Sequence, residues 1–137
     1  MTIFTPHPLI QTDSVFIRDL PLSQLRLQNQ SLVPWLILVP RRAEVTEITQ
    51  LPAHDRHQLM DEITLTSKAI QKLYPIDKIN VGALGNVVAQ LHVHIIGRYH
   101  TDAAWPAPVW GRLEAAPYAD AVLKDTIQRL NDDALWR

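Results

Sequence analysis

Apolar positions along the chain follow two rhythms, and each predicts a different element. Trp35 to Val39 (WLILV) is a continuous apolar run between Pro34 and Pro40. Such a run fits a central strand buried on both faces. Asp13 to Arg18 (DSVFIR) is a short β-prone run, with room for a short helix before it. Leu25-Arg26-Leu27 alternates ahead of a turn-like stretch from Gln28 to Ser31. From Pro52 to Tyr74 the rhythm becomes helical: Leu59, Ile63, Thr66, Ile70 and Leu73 recur at three- and four-residue spacing. Pro52 suits the first turn, Asp55 suits the positive end of the helix, and Pro75 stops it.

Lys78 to Leu84 reads as a strand, Gly85-Asn86 as a turn, and Val87 to Ile96 as the next strand. A turn that joins two strands directly makes them an antiparallel hairpin. Pro117 to Leu130 is a second helix, with Tyr118, Val122, Ile127 and Leu130 as its buried positions. The order β, β, β, α, β, β, α predicts an α+β domain, an antiparallel sheet with helices packed on it. No repeat or linker divides the chain, so residues 1–137 read as one domain.

Composition narrows the chemistry. The net charge is −1, without the basic excess that a nucleic-acid polymer would require. Cysteine is absent, which excludes disulfides and thiolate metal sites. The opening MTIFTPHPLIQTDS has no basic and apolar targeting pattern. No apolar run approaches the roughly 20 residues that span a bilayer. These features predict a soluble cytoplasmic protein.

The chemistry concentrates in QLHVHII, residues 90–96. Strand alternation would place Val88, Gln90, His92, His94, Ile96 and, if the register holds through Gly97, Arg98 on one face. Ala89, Leu91, Val93 and Ile95 would form the opposite, core-facing side. The residues admit three readings. One is a strand that simply exposes two histidines. A His-x-His pair can chelate a metal, but needs a third ligand; His7, His54, His57 and His100 are candidates, none at a recognisable spacing. A neutral imidazole can instead attack a phosphoryl group, because its ordinary pKa lies near 6.5. Its neighbour would then contact the phosphate, and the anionic charge would be met by Arg98, Arg41-Arg42 or backbone N–H groups near Gly85.

The stretch Asn80-Val81-Gly82-Ala83-Leu84-Gly85-Asn86-Val87-Val88-Ala89-Gln90-Leu91-His92-Val93-His94-Ile95-Ile96 resembles the motif of the histidine-triad (HIT) family with its lead-in. PWLILVPR, residues 34–41, resembles the family's earlier strand, and the helix between falls where the family has one. The likeness covers about residues 9–100, leaving a less typical loop and helix over 101–137. It implies a homodimeric α+β fold with a five-stranded antiparallel sheet and helices packed on it. It further implies a nucleotide hydrolase or nucleotidyl transferase that forms a covalent nucleotidyl-histidine at the α-phosphate and needs no cofactor.

Carried over residue by residue, the resemblance makes His92 the nucleophile and His94 the phosphate contact. Gln90 takes the place of the first triad histidine as an orienting group. Asn80, Gly85 and Asn86 match substrate-lining positions, and Arg98 is the candidate cation. The chain departs from the family pattern at Gln90, at Pro34 (where many members carry a histidine behind the catalytic one), at Val87 (a serine in one branch) and at Asn86. Those departures keep open a nucleotide-binding sensor with weak turnover. The partner in either case is a nucleotide-like small molecule, with neither a membrane nor a nucleic-acid polymer. Trp105 and Trp110, in the Pro-rich WPAPVWG loop, could cover the site or pack against the body.

Overall fold

The computed structural model describes residues 3–137. Five strands form one antiparallel sheet in the order β1-β2-β3-β5-β4. They are β1 (Ser14–Asp19), β2 (Ser23–Gln28), β3 (Trp35–Pro40), β4 (Lys78–Gly82) and β5 (Val93–Arg98). Helix α1 (Pro8–Asp13) precedes the sheet, α2 (Ala53–Leu73) links β3 to β4, and α3 (Asp120–Leu130) follows the loop after β5. Among the described residues, no helix is long and apolar enough to cross a membrane.

Strand β3 is buried at every position, because apolar layers lie on both sides of the sheet. Leu36 and Leu38, with Val93 and Ile95 of β5, face the layer that holds Leu59 and Ile70 of α2. Ile37, Val39 and Ile96 face a second, smaller layer that holds Ile10 of α1 and Val109 of the late loop. Continuous hydrophobicity in WLILV is therefore the signature of a strand covered twice.

The expected hairpin at Gly85-Asn86 is not there. Strands β4 and β5 pair antiparallel as expected, from Lys78↔Arg98 to Gly82↔His94, but pairing stops at Gly82. Residues 83–92 form a loop without strand structure. Gly85 lies at φ 70°, a left-handed conformation that favours glycine. Leu91 N–H turns away from β4 and donates to Val45 O at 2.9 Å. Of the apolar face expected along 89–95, Leu91, Val93 and Ile95 are buried while Ala89 is exposed.

Helix α3 starts at Asp120 rather than Pro117, and its buried positions shift. Val122 is exposed, while Thr126 and Leu130 are buried.

Candidate active site

His94 sits in β5 between Ile37 of β3 and Gly82 of β4, on the face of the smaller apolar layer. His92 lies just before the strand begins. Their rings stand 4.9 Å apart between centroids, inclined at 69°. Trp110 reaches across from the late loop, with its ring 5.3 Å from that of His94. Gly82 leaves room for it: a Cβ there would stand 3.2 Å from Trp110 Cη2, a tight contact.

Hydrogen-bond partners fix which nitrogen of each ring carries the proton. His92 Nδ1 lies 2.6 Å from the carbonyl oxygen of Gln90. A carbonyl only accepts, so the proton sits on Nδ1 and Nε2 keeps a free lone pair. His94 Nδ1 lies 2.9 Å from the indole nitrogen of Trp35. An indole N–H only donates, so His94 Nδ1 accepts and its proton sits on Nε2. Burial, and secondarily the neighbouring His92, lower the His94 pKa from 6.5 to about 4. With both rings neutral, the pair thus offers one bare nitrogen, His92 Nε2, and one N–H donor, His94 Nε2.

The two rings open into a cleft of about 450 Å³. Gly85, Asn86, Val87 and Val88 form one wall, while Leu9, Asp13, Gln28 and Trp110 close the other sides. A second cleft of about 470 Å³ continues from it past Asp13, Gln28, Trp35 and Trp110 towards Asn29, Gln30 and Pro117. Sequence reasoning gave no role to Asp13 or Gln28. They enter from the end of α1 and the end of β2, far from the motif, brought together by the pairing of Ser14 with Gln28 and by the Asn29 N–H donating to Asp13 O at 3.0 Å. Trp110 lines the cleft; Trp105 lies elsewhere, against His100 and over the Arg98 guanidinium.

Two expected site residues, Arg98 and Asn80, are bonded to each other, and Arg98 also to the late loop. Arg98 is 1% exposed, and its guanidinium is committed. It donates to both carboxylate oxygens of Asp102 at 2.9 Å, to Asn80 Oδ1 at 2.8 Å and to Ala107 O at 2.9 Å. Those bonds hold the Asp102 carboxyl below its usual range, against the opposing effect of burial. Arg98 is the clasp of the late loop, and it draws Asn80 with it. Neither lines the cleft. Arg41 and Arg42 are likewise paired, Arg41 with the exposed Asp19 at 2.9 Å and Arg42 with the buried Asp55 at 2.7 Å.

Gln90 also differs from expectation. Its backbone carbonyl, rather than its side chain, meets His92. The side-chain oxygen accepts from the backbone N–H of His7 at 2.7 Å. The residue next to Pro34, Trp35, supports His94 rather than His92. Among the described residues, no group of three or more His, Cys, Asp or Glu side chains is placed to hold a metal ion.

The HIT domain family model matches residues 10–101. A histidine triad protein of Bradyrhizobium japonicum is 42% identical over 93% of this chain and 95% of its own, with a TM-score of 0.90. One from Sinorhizobium meliloti is 41% identical over 93% and 94%, with a TM-score of 0.90. A third, from Marinobacter aquaeolei, is 36% identical over 98% and 97%, with a TM-score of 0.92. No curated protein matches the chain.

Proposed function

This chain belongs to the histidine triad (HIT) family, whose members are generally nucleotide-binding hydrolases and transferases, and from that premise we propose that His92 is its covalent nucleophile. Nε2 of His92 attacks the α-phosphorus of a nucleotide, and the bond from phosphorus to the leaving group breaks. The leaving group departs with the electron pair and takes up a proton from solvent, to which the attacking acceptor later returns one. As Nε2 gains its bond to phosphorus the ring becomes cationic. Its Nδ1–H, held on the Gln90 carbonyl, then makes a charge-assisted hydrogen bond. His94 Nε2–H donates to a nonbridging oxygen. Water or another acceptor attacks the phosphorus in turn and releases Nε2.

One observation carries this reading: the two imidazoles are held in opposite proton arrangements, nucleophile beside donor. A guanidinium has no part in it, since Arg98 is committed elsewhere. Phosphate charge is met by His94 and by the Gly85-Asn86 turn that walls the cleft. The cleft residues include the Asp13 carboxylate and no lysine or arginine, which favours a substrate with a single phosphoryl charge over a polyphosphate chain. The family likeness extends the reading to a cytoplasmic homodimer that acts without a cofactor.

The test uses adenosine 5′-phosphoramidate, dinucleoside polyphosphates and nucleotide sugars, with wild type and His92→Asn. The expected result is a nucleotidyl-histidine trapped on wild type alone, with turnover lost in the variant. Equal behaviour of the two proteins on every substrate class, with no adduct, overturns it. The exchange of a third imidazole for Gln90 favours a second reading, a nucleotide sensor. Calorimetric binding without hydrolysis would support that one.

A further inference from the structure

We propose that Gln90 and the backbone N–H of His7 form a latch through which the N-terminal arm positions His92. The inference rests on His92 as nucleophile and concerns how its ring is held. The carbonyl that accepts from His92 Nδ1 belongs to the peptide unit between Gln90 and Leu91. The N–H of that same unit donates to Val45 O at 2.9 Å. A planar trans peptide points these two groups in opposite directions, so the pair of bonds fixes one line through the loop. Rotation about that line is left to a third tether.

The Gln90 side chain supplies it. Its Oε1 accepts from His7 N–H at 2.7 Å, across 83 residues of sequence. The arm on the other side is itself anchored. His7 Nδ1 accepts from Leu9 N–H at 3.1 Å, and Gln11 Nε2 donates to Pro6 O at 2.7 Å. Ile10 then fixes α1 in the apolar layer beneath the sheet. Open space lies beside the latch: a cavity of about 450 Å³ is lined by His7, Glu44, Thr46 and Gln90 among others. A hydrogen bond, more than packing, therefore keeps the Gln90 side chain in place. Glutamine suits the post because its amide oxygen accepts without carrying charge beside the nucleophile.

Gln90 is a positioning residue on this account, and so is the peptide N–H of His7. A backbone donor is removed by proline, and His7 at φ −50° and ψ 141° already has a conformation that proline adopts. Both H7A and H7P delete the imidazole, but only H7P deletes the N–H, so H7P is read against H7A. Q90A deletes the acceptor and Q90E retains one.

Two measurements on the full chain test the latch. The first is nitrogen-15 NMR of labelled histidine, with the His92 signals assigned by their loss in His92→Asn. Wild type and Q90E should show His92 protonated at Nδ1 alone. Q90A, and H7P relative to H7A, should show both tautomers in exchange. The second is single-turnover formation of nucleotidyl-His92 from adenosine 5′-phosphoramidate. Its rate should fall about tenfold or more in Q90A and in H7P, with KM nearly unchanged. The double variant should fall no further than either single one. Unaltered His92 tautomers in both Q90A and H7P overturn the latch. Absence of an adduct on wild type overturns the nucleophile reading instead, and the tautomer spectra still decide the latch.

Discussion

The indole N–H of Trp35 donates to Nδ1 of His94 at 2.9 Å, and this contact decides which nitrogen of His94 faces the cleft. Without it, the neutral ring could place its proton on either nitrogen, and the outer one could become an acceptor that repels a phosphate oxygen. Trp35→Phe keeps an apolar ring and deletes the donor. Its kcat should fall by about tenfold, the scale of a lost orienting partner, with a smaller change in KM. Stability should fall by about 1–3 kcal/mol, since a buried acceptor is left unpaired. Steady-state kinetics and urea unfolding of the variant measure both. Full retention of kcat would show that the indole does not set the tautomer.

The lowered pKa of His94 also predicts an acid-sensitive fold. Its folded-state value is about 4, against an ordinary 6.5. Between those values the unfolded chain binds a proton that the folded chain refuses. Stability therefore rises with pH across the window. The contribution is fully present above about pH 6.5 and is lost as pH falls towards about 4. It has a ceiling of about 3 kcal/mol, from 1.36 kcal/mol for each pKa unit. Urea unfolding of wild type and His94→Gln at about pH 7 and about pH 4.5 should show a steeper loss in wild type. Parallel losses would remove His94 as the cause.

Much of this architecture is legible in the sequence, for physical reasons that differ by element. WLILV announces a strand covered on both faces, and the spacing of Leu59, Thr66 and Ile70 announces α2, because burial imposes period on the chain. The motif strand misleads where hydrogen bonds to distant parts of the chain defeat alternation. Nothing in QLHVHII states that Leu91 will donate to Val45, or that His7 will take the Gln90 side chain. Those long-range partners turn residues 83–92 from a strand into a loop. They also replace an expected contact through the Gln90 amide with one through its backbone carbonyl. The bonding of Arg98 is hidden in the sequence for a related reason. Its position on the histidine face is legible, while the partner that buries it, Asp102, lies past the strand end in a loop with no period. Asp13 and Gln28 carry no local mark at all.

The clasp between Arg98 and Asp102 separates a structural cation from a substrate one. Both side chains are buried, 1% and 3% exposed. Arg98→Met leaves Asp102 charged without its partner, at a cost of about 3–5 kcal/mol. Replacing both together, as Arg98→Met with Asp102→Asn, should cost less than Arg98→Met alone, because the uncharged amide oxygen still accepts from the backbone N–H groups of Ala104 and Trp105. The fraction of Arg98→Met that stays folded should bind adenosine 5′-monophosphate with affinity close to wild type by calorimetry. A loss of affinity of tenfold or more at intact fold would return Arg98 to the ligand.

The charge of the cleft bears on the leaving group. Asp13 lines the space around His92 and the cleft that continues from it, and lysine and arginine are missing from both linings. A polyphosphate leaving group brings added negative charge towards that carboxylate. A phosphoramidate nitrogen takes up one proton and leaves as neutral ammonia, which brings none. Partly screened charges about 4–6 Å apart interact by roughly 1–4 kcal/mol, enough for a tenfold preference or more. Wild type should therefore process adenosine 5′-phosphoramidate with a kcat/KM at least about tenfold above that for a diadenosine polyphosphate. Asp13→Asn should narrow the ratio, chiefly by improving the polyphosphate. Raised salt should narrow it in wild type and much less in the variant, since only wild type has the charge to screen. A ratio that stays the same in Asp13→Asn would mean that leaving-group choice is set by shape, and that the carboxylate serves the nucleoside instead.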